Sequence, residues 1–331
     1  MSTSALTSRR RFLRETFAFS ALALAGLPRL AKAAATIEPG GLHLLTLGDW
    51  GASGSAKQQA EVAGAMKAFV GAQQIKSDAL LLLGDNFYGT LDGVKSPRWQ
   101  TQFEDMYPSS SFDCPCYAVL GNHDYHVEPQ DKPEIQLAYA AAGGTRFKLP
   151  AKWYRFEFPQ VNPLVTFIAL DSNYQRPSFG KRALTDEERT AQLAWLKAEL
   201  AKPRTTPYLF VYGHHPLFSN GPHGDTEALV AEWDSLFRQH GVHFYFCGHD
   251  HDLQHLEFAG HPTSFVVSGG GGASLTDLKK KPEERGPFAL RTAGFSHLQI
   301  TPERFIVRHI DPAGTVLHAF AKTPAGQVTI L

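Results

Sequence analysis

The chain of 331 residues contains only three cysteines, Cys114, Cys116 and Cys247. So small and odd a number does not make a disulfide framework. A bridge between Cys114 and Cys116 would be strained, so free thiols are expected, with Cys247 packed as a small hydrophobe inside the apolar run "HFYFCG". Net charge is missing as well: Lys plus Arg number 32, and so do Asp plus Glu. That balance removes the basic footprint of a general nucleic-acid binder, and no nucleic-acid partner is expected. Beyond residue 40 there is no internal repeat and no low-complexity linker. What is present is a chain 43% hydrophobic and 19% charged, long enough to bury a large core, and an unusual number of histidines, 15.

Residues 1–35 read as an export segment and residues 36–331 as a single continuous domain. "SRRRFLR" (Ser8 to Arg14) is cationic, "FAFSALALAGL" (Phe17 to Leu27) is apolar but too short to span a bilayer, and "AKA" (Ala31 to Ala33) supplies small residues at cleavage spacing. The paired arginines followed by Phe-Leu resemble the twin-arginine export signal of bacteria; a general secretory signal is the alternative. The twin-arginine route carries folded proteins, which suits a protein that receives metal before export. A periplasmic or secreted location is expected, with no stable membrane association once the signal is removed.

Short apolar runs alternate with amphipathic stretches. Six runs read as buried strands: Leu42 to Gly51, Ala79 to Tyr88, Cys116 to Tyr125, Val165 to Asn173, Pro207 to Pro216 and Val242 to His251. "TDEERTAQLAWLKAEL" opens with a capping box, Thr185 with Glu188, and sets Leu193, Leu196 and Leu200 on one face. "DTEALVAEWDSLFRQHG" aligns Leu229, Trp233, Leu236 and Phe237 and stops at Gly241. "TSFVVSG", "GFSHLQI", "RFIVRHID" and "TVLHAF" are strand-like. The pattern predicts an α/β core of packed sheets flanked by helices.

Five of the runs end in glycine followed by polar residues: Gly48-Asp49, Gly84-Asp85, Gly121-Asn122-His123, Gly213-His214 and Gly248-His249-Asp250-His251. Alone, a Gly-Asp after a strand is more often a turn than a ligand. Ligands of open α/β sheets bind beyond the carboxyl ends of strands, and glycine lets the chain turn sharply there. Five such ends in one chain point to a two-metal hydrolase site. Carboxylate and phenolate oxygens suit a trivalent ion, and imidazole and amide donors a divalent one.

In their order, these motifs resemble the metallophosphoesterase superfamily. The usual Asp-x-His opening is replaced by Asp49-Trp50-Gly51, and Tyr88 follows Asp85; that exchange resembles the purple acid phosphatases, the small mammalian tartrate-resistant type above all. "FEDMYP", "VLGNHDY", "GHHPLFSNGPHG" and "CGHDHDLQ" extend the likeness over residues 42 to 320. The resemblance implies a four-layer α/β/β/α sandwich of two packed mixed sheets flanked by helices. It implies Fe(III) held by Asp49, Tyr88 and His251, a divalent ion (Fe, Zn or Mn) held by Asn122, His214 and His249, and Asp85 bridging both. It implies an acid phosphatase acting on phosphate monoesters by attack of a metal-bound hydroxide, with His123 and His223 binding phosphate and protonating the leaving oxygen. A phosphodiesterase or nucleotide phosphohydrolase, and a redox-active di-iron protein, are the alternatives. A monomer is expected.

Asp124 is read as orienting His123. His215 is read as pointing away from its neighbour His214, as a support or packing residue, and the run Gly269 to Gly272 as a bend. His43, His126, His240, His243, His255, His261, His297, His309 and His318 are read as surface or packing residues. Replacing Arg9 and Arg10 by lysine is expected to block export; precursor remaining in the cytoplasm, seen in fractionated cells, checks it, and normal periplasmic accumulation would favour the general secretory route.

Overall fold

The computed structural model describes residues 37, 40–51, 56–125, 132–174 and 183–331. The export segment and His126 lie outside the described residues. The chain builds half of one sheet, then the whole of a second, then returns to finish the first. Strands β1 (Leu42–Leu47), β2 (Ala79–Leu82), β3 (Cys116–Ala118) and β4 (Phe147–Lys148) are parallel neighbours. Helix α1 (Lys57–Ala72) joins the first two, and α2 (Lys132–Ala141) lies between the last two.

The second sheet takes the next seven strands: β5 (Tyr154–Phe158), β6 (Val165–Ala169), β7 (Tyr208–Tyr212), β8 (Phe244–Cys247), β9 (Leu253–Leu256), β10 (Ser264–Ser268) and β11 (Phe288–Leu290). Their order is β11-β9-β10-β8-β7-β6-β5, with β6, β7, β8 and β10 parallel. Then β12 (Phe295–Ile300), β13 (Phe305–Ile310), β14 (Val316–Lys322) and β15 (Val328–Ile330) add antiparallel to the free edge of β1. Both sheets are therefore mixed. Phe156, Phe167, Phe210, Phe244 and Phe305 stack between them, for example Phe244 on Phe305 at 4.4 Å between ring centres. Apolar area removed from water on both faces of each sheet explains the unbroken apolar runs.

Helix α3 (Asp186–Ala201) begins with the expected box: the Glu188 N–H donates to Thr185 Oγ1 at 3.1 Å and the Thr185 N–H to Glu188 Oε2 at 2.9 Å. Its inner face buries Gln192, Leu196 and Leu200, with Leu193 only partly covered. The segment from Glu227 to His240 departs from a regular helix, since Val230–Asp234 is π-helical. Leu229, Trp233 and Phe237 still face the core, and Gly241 closes the helix at φ 60°. All three cysteines are buried and free.

Several histidines read as surface or packing residues form buried polar rows. Between the sheets, His255 Nδ1 lies 2.9 Å from His318 Nε2, and its Nε2 lies 2.8 Å from Glu257. His309 contacts the Ser296 hydroxyl at 2.9 Å and the Gln254 carbonyl at 3.2 Å, and Phe288 stacks on both His309 and His318. Burial pushes His309 down to about 3 and His318 to about 2. The unfolded chain, with histidines near 6.5, binds protons that the folded chain refuses. Stability conferred by these neutral rings is complete above about pH 6.5 and is lost as pH falls toward about 3. In His309→Gln, the decline of unfolding free energy between about pH 6.5 and about 4 is expected to be shallower than in the wild type, as denaturant titrations at each pH would show.

Candidate metal centre

The carboxyl ends of β1, β2 and β3 from the first sheet and of β7 and β8 from the second meet at one rim. Gly48 and Gly248 are the contact point. A Cβ on Gly248 would lie 2.3 Å from Asp49 Oδ2, which excludes a side chain there, and one on Gly48 would lie 3.1 Å from the Gly248 Cα, a tight approach. The residues displayed just beyond adopt a backbone that side chains disfavour: Asp49 at φ 58°, Asp85 at φ 51° and His249 at φ 70°. Such left-handed residues persist only where the surroundings over-determine them. Here the Asp49 N–H donates to the Gly84 carbonyl at 3.0 Å and the His249 N–H to Asp49 Oδ2 at 2.9 Å.

Seven donors expected from the sequence come together in two groups. In the first, the Tyr88 hydroxyl lies 3.2 Å from Asp49 Oδ1 and 3.2 Å from His251 Nε2, while His251 Nε2 is 3.3 Å from Asp49 Oδ1. Asp49, Asp85 and His251 offer donor atoms within 4.8 Å of one another. In the second, Asn122 Oδ1 lies 3.0 Å from His214 Nε2 and 3.0 Å from His249 Nδ1. Asp85 stands between, with Oδ1 3.5 Å from His214 Nε2. Backbone carbonyls set two of the imidazoles: His214 Nδ1 faces Leu83 at 2.9 Å and His251 Nδ1 faces Ser274 at 2.6 Å, leaving each Nε2 for the site.

The electrostatics call for cations. Burial, with Asp49 and Asp124 nearby, raises Asp85 to about 7 despite His214. Burial and the same carboxylates, Asp85 and Asp49, push the Tyr88 phenol far above its usual value. Burial disfavours charge on His251, yet Asp49 lifts it to about 9. Burial and the neighbouring His215 and His214 hold His249 well below its usual value. Two carboxylates and a phenol are thus crowded where charge is costly, beside an imidazole that resists protonation. Such a set suits positive ions and is poorly satisfied by protons.

His215 does not point away. The Ser172 hydroxyl collects the N–H groups of both His214 and His215, at 3.1 and 2.8 Å. The turn after β7 therefore ends strand alternation, and the His215 ring lies 4.3 Å from that of His249. His214, His215 and His249 form a group of three imidazoles within 4.8 Å. Asp124 is buried and accepts the N–H groups of Gly121, Asn86 and Phe87 at 2.8, 3.0 and 3.0 Å, with Gln136 at 2.9 Å. It splints the Asp85 and Asn122 loops together. Lys132 completes the splint, its ammonium donating to the carbonyls of Phe87, Gly89 and His123. Gly269 to Gly272 pack against Asp49, Gly48, Trp50 and Asp250, so the run is a close-packed backing for the ligand loops.

His123 lies with its ring 4.2 Å from that of Tyr88, and its N–H donates to Asp85 Oδ1 at 2.7 Å. His223, 48% exposed, sets its ring 4.1 Å from His249 and its Nδ1 2.6 Å from buried Asp250. Asp250 was not anticipated as a functional residue: it lies in the turn after β8, where no periodicity says which way a side chain faces. Replacing His214 by alanine, or Asp85 by asparagine, is expected to cut bound metal to well below that of the wild type, Asp85→Asn affecting both groups; elemental analysis of purified protein checks it.

The family model of calcineurin-like phosphoesterases matches residues 42–253. Tartrate-resistant acid phosphatase type 5 of Homo sapiens is 32% identical over 319 residues, spanning 88% of this chain and 92% of the human protein. Purple acid phosphatase 7 of Arabidopsis thaliana is 32% identical over 304 residues, spanning 89% and 90%. Among solved structures, GAP50, the anchor in the inner membrane complex of Plasmodium, superposes with a TM-score of 0.72 at 21% identity over 84% of this chain and 87% of that one, a likeness in fold alone. With a family match over most of its length and purple acid phosphatases at this identity across nearly the whole chain, the protein belongs to the calcineurin-like phosphoesterase family, on its purple acid phosphatase branch.

Proposed function

We propose that the chain is an acid phosphatase that hydrolyses phosphate monoesters at a centre of two metal ions. Asp49, Tyr88 and His251 would hold a ferric ion, Asn122, His214 and His249 a divalent one (Fe, Zn or Mn), and Asp85 both. The observation that carries the reading is the segregation of donors. The carboxylate of Asp49 and the phenol oxygen of Tyr88, which becomes an anionic donor on a metal, gather around His251 Nε2 at 3.3 and 3.2 Å, whereas neutral Asn122 gathers two imidazoles at 3.0 Å. Hard anionic donors suit the trivalent ion, and imidazole and amide the divalent one. When bound, the ions supply positive charge to the phosphate and Lewis acidity to water. Fold alone would not support an enzyme, but here no member of the donor set is missing. On the same proposal, the segment 1–35 delivers the activity to the periplasm or the medium.

The chain's own part in the chemistry is proton handling. Asp250 accepts from His223 Nδ1 at 2.6 Å, which leaves the other ring nitrogen to face the half-open mouth. A protonated His223 can give its proton to the leaving oxygen, while the Asp250 carboxylate stabilises the imidazolium before transfer and fixes the tautomer after it. His123, against the Tyr88 ring, is the second phosphate-facing imidazole.

His223→Ala is expected to lower turnover about 10²–10⁴-fold for alkyl phosphates and much less for an activated aryl phosphate, whose leaving oxygen needs no proton. Steady-state kinetics on both esters checks it; equal losses would make His223 a phosphate-binding group only. A phenolate on ferric iron absorbs visible light by charge transfer, so the iron-loaded, oxidised protein is expected to be coloured and Tyr88→Phe bleached while part of its hydrolysis survives. A colourless, iron-replete wild type, read by absorption spectroscopy beside elemental analysis, would sink the ferric assignment.

A further inference from the structure

The loop that carries His223 is gripped from two sides. On its buried side, the Asn220 N–H donates to Gln254 Oε1 at 2.8 Å, and the Ser219 hydroxyl donates to Asp250. On its outer side runs the segment from Ser274 to Arg285. This strap starts at His251, whose N–H donates to Thr276 Oγ1 at 2.9 Å, and the Thr276 N–H returns to the His251 carbonyl at 3.2 Å. It ends at Arg285, which makes bonds of 2.6 and 2.8 Å to the two Asp225 oxygens and one of 3.0 Å to the Ser219 carbonyl. Midway, the N–H groups of Lys279 and Lys280 donate to the Asn220 carbonyl at 2.8 and 3.0 Å. The Lys279 ammonium donates to the Pro222 carbonyl.

That last bond fixes where Lys279 stands. The Pro222 carbonyl and the His223 N–H belong to one trans peptide and point in opposite directions. The N–H faces buried Asp250, at 3.4 Å. Lys279 therefore occupies the solvent side of the same peptide, next to the residue that protonates the leaving oxygen.

We propose that Lys279 reads a second negative charge in the leaving part of the substrate. Preferred substrates are then phosphate monoesters whose alcohol carries a carboxylate or a further phosphate a few bonds from the scissile phosphorus. The inference rests on the acid phosphatase reading and narrows its substrate class. A leaving group that takes a proton from His223 departs past Lys279. The ammonium has a neutral carbonyl for a partner, with donors to spare. Among the described side chains near the strap, Asp225 is engaged by Arg285, Asp277 by Arg291 at 2.8 Å, and Asp250 by His223 and Ser219. An anion on the substrate would gain a charge-assisted hydrogen bond that an uncharged alcohol cannot.

The test compares kcat/KM for phosphoglycerate and glycerol phosphate, alcohols that differ chiefly in a carboxylate against a hydroxymethyl group. Wild-type enzyme is expected to favour phosphoglycerate, increasingly so at low ionic strength. Lys279→Ala is expected to cut that preference about five- to tenfold, mostly through KM, and Lys279→Arg to keep it. A preference unchanged in Lys279→Ala overturns the proposal. Equal losses on both esters overturn it too, since Lys279 would then only brace the His223 loop. A metal-loaded wild type that hydrolyses neither ester would instead overturn the phosphatase reading itself, and this proposal with it.

Discussion

One carboxylate joins the two halves of the molecule. Asp49 ends the first strand of the first sheet. Its Oδ2 accepts the backbone N–H of His249, at the end of a strand in the second sheet, at 2.9 Å. Its Oδ1 faces Tyr88 and His251 at 3.2 and 3.3 Å. The glycine before His249 must lack a side chain for this bond to form, since a Cβ on Gly248 would strike the carboxylate. The left-handed backbone of Asp49 and His249 and the crowding of negative oxygen meet in this one contact. Burial favours a proton on Asp49, but His251 and His214 hold it below its ordinary range, so the contact stays anionic and the centre stays suited to cations.

Strand ends were legible in the sequence because continuous apolar runs stop at glycine, and the residue after each glycine had to be displayed at the rim. That reasoning found Asp49, Asp85, Asn122, His214 and His249; Tyr88 and His251 were named only through the family resemblance. It missed what holds them. Asp124, read as orienting His123, spends its oxygens on three backbone N–H groups from two loops. Lys132 spends its ammonium on three carbonyls. Side chains that serve backbone atoms leave no periodic or motif signature, because the partner residues' identities are immaterial to the bond. His215 was misplaced for a related reason: strand alternation was extended through a turn that the Ser172 hydroxyl organises from a distant strand end. The π-helical stretch Val230–Asp234 was equally hidden, since Leu229, Trp233 and Phe237 keep an ordinary helical spacing.

Histidine count was the first hint of metal, yet most of the fifteen rings do other work. Residue type alone does not separate them; the neighbours do. His251 sits beside Asp49 and is lifted to about 9, whereas His309, with a hydroxyl and a carbonyl for company, is pushed down to about 3. The first environment attracts positive charge and the second repels it. The fold gathers carboxylates at one rim and keeps His309 and His318 neutral between the sheets, so cationic attraction is strong at the rim and absent around that pair.

On the proposed function, the division between buried and exposed groups accounts for how one centre could prefer a particular class of ester. Asp49, Asp85 and His214 are essentially inaccessible; on the proposed function they hold ions and do not meet the alcohol of the ester. His223 is half exposed and Lys279 exposed, and both belong to segments tied by backbone bonds to one carbonyl, that of Asn220 in the first case by chain continuity and in the second by two N–H donors. The proposed proton donor and the proposed charge reader are therefore mounted on one brace. That brace is anchored at His251 on one end and at Asp225 on the other, so on the proposed function the charge that discriminates among alcohols stands apart from the residues that hold the ions.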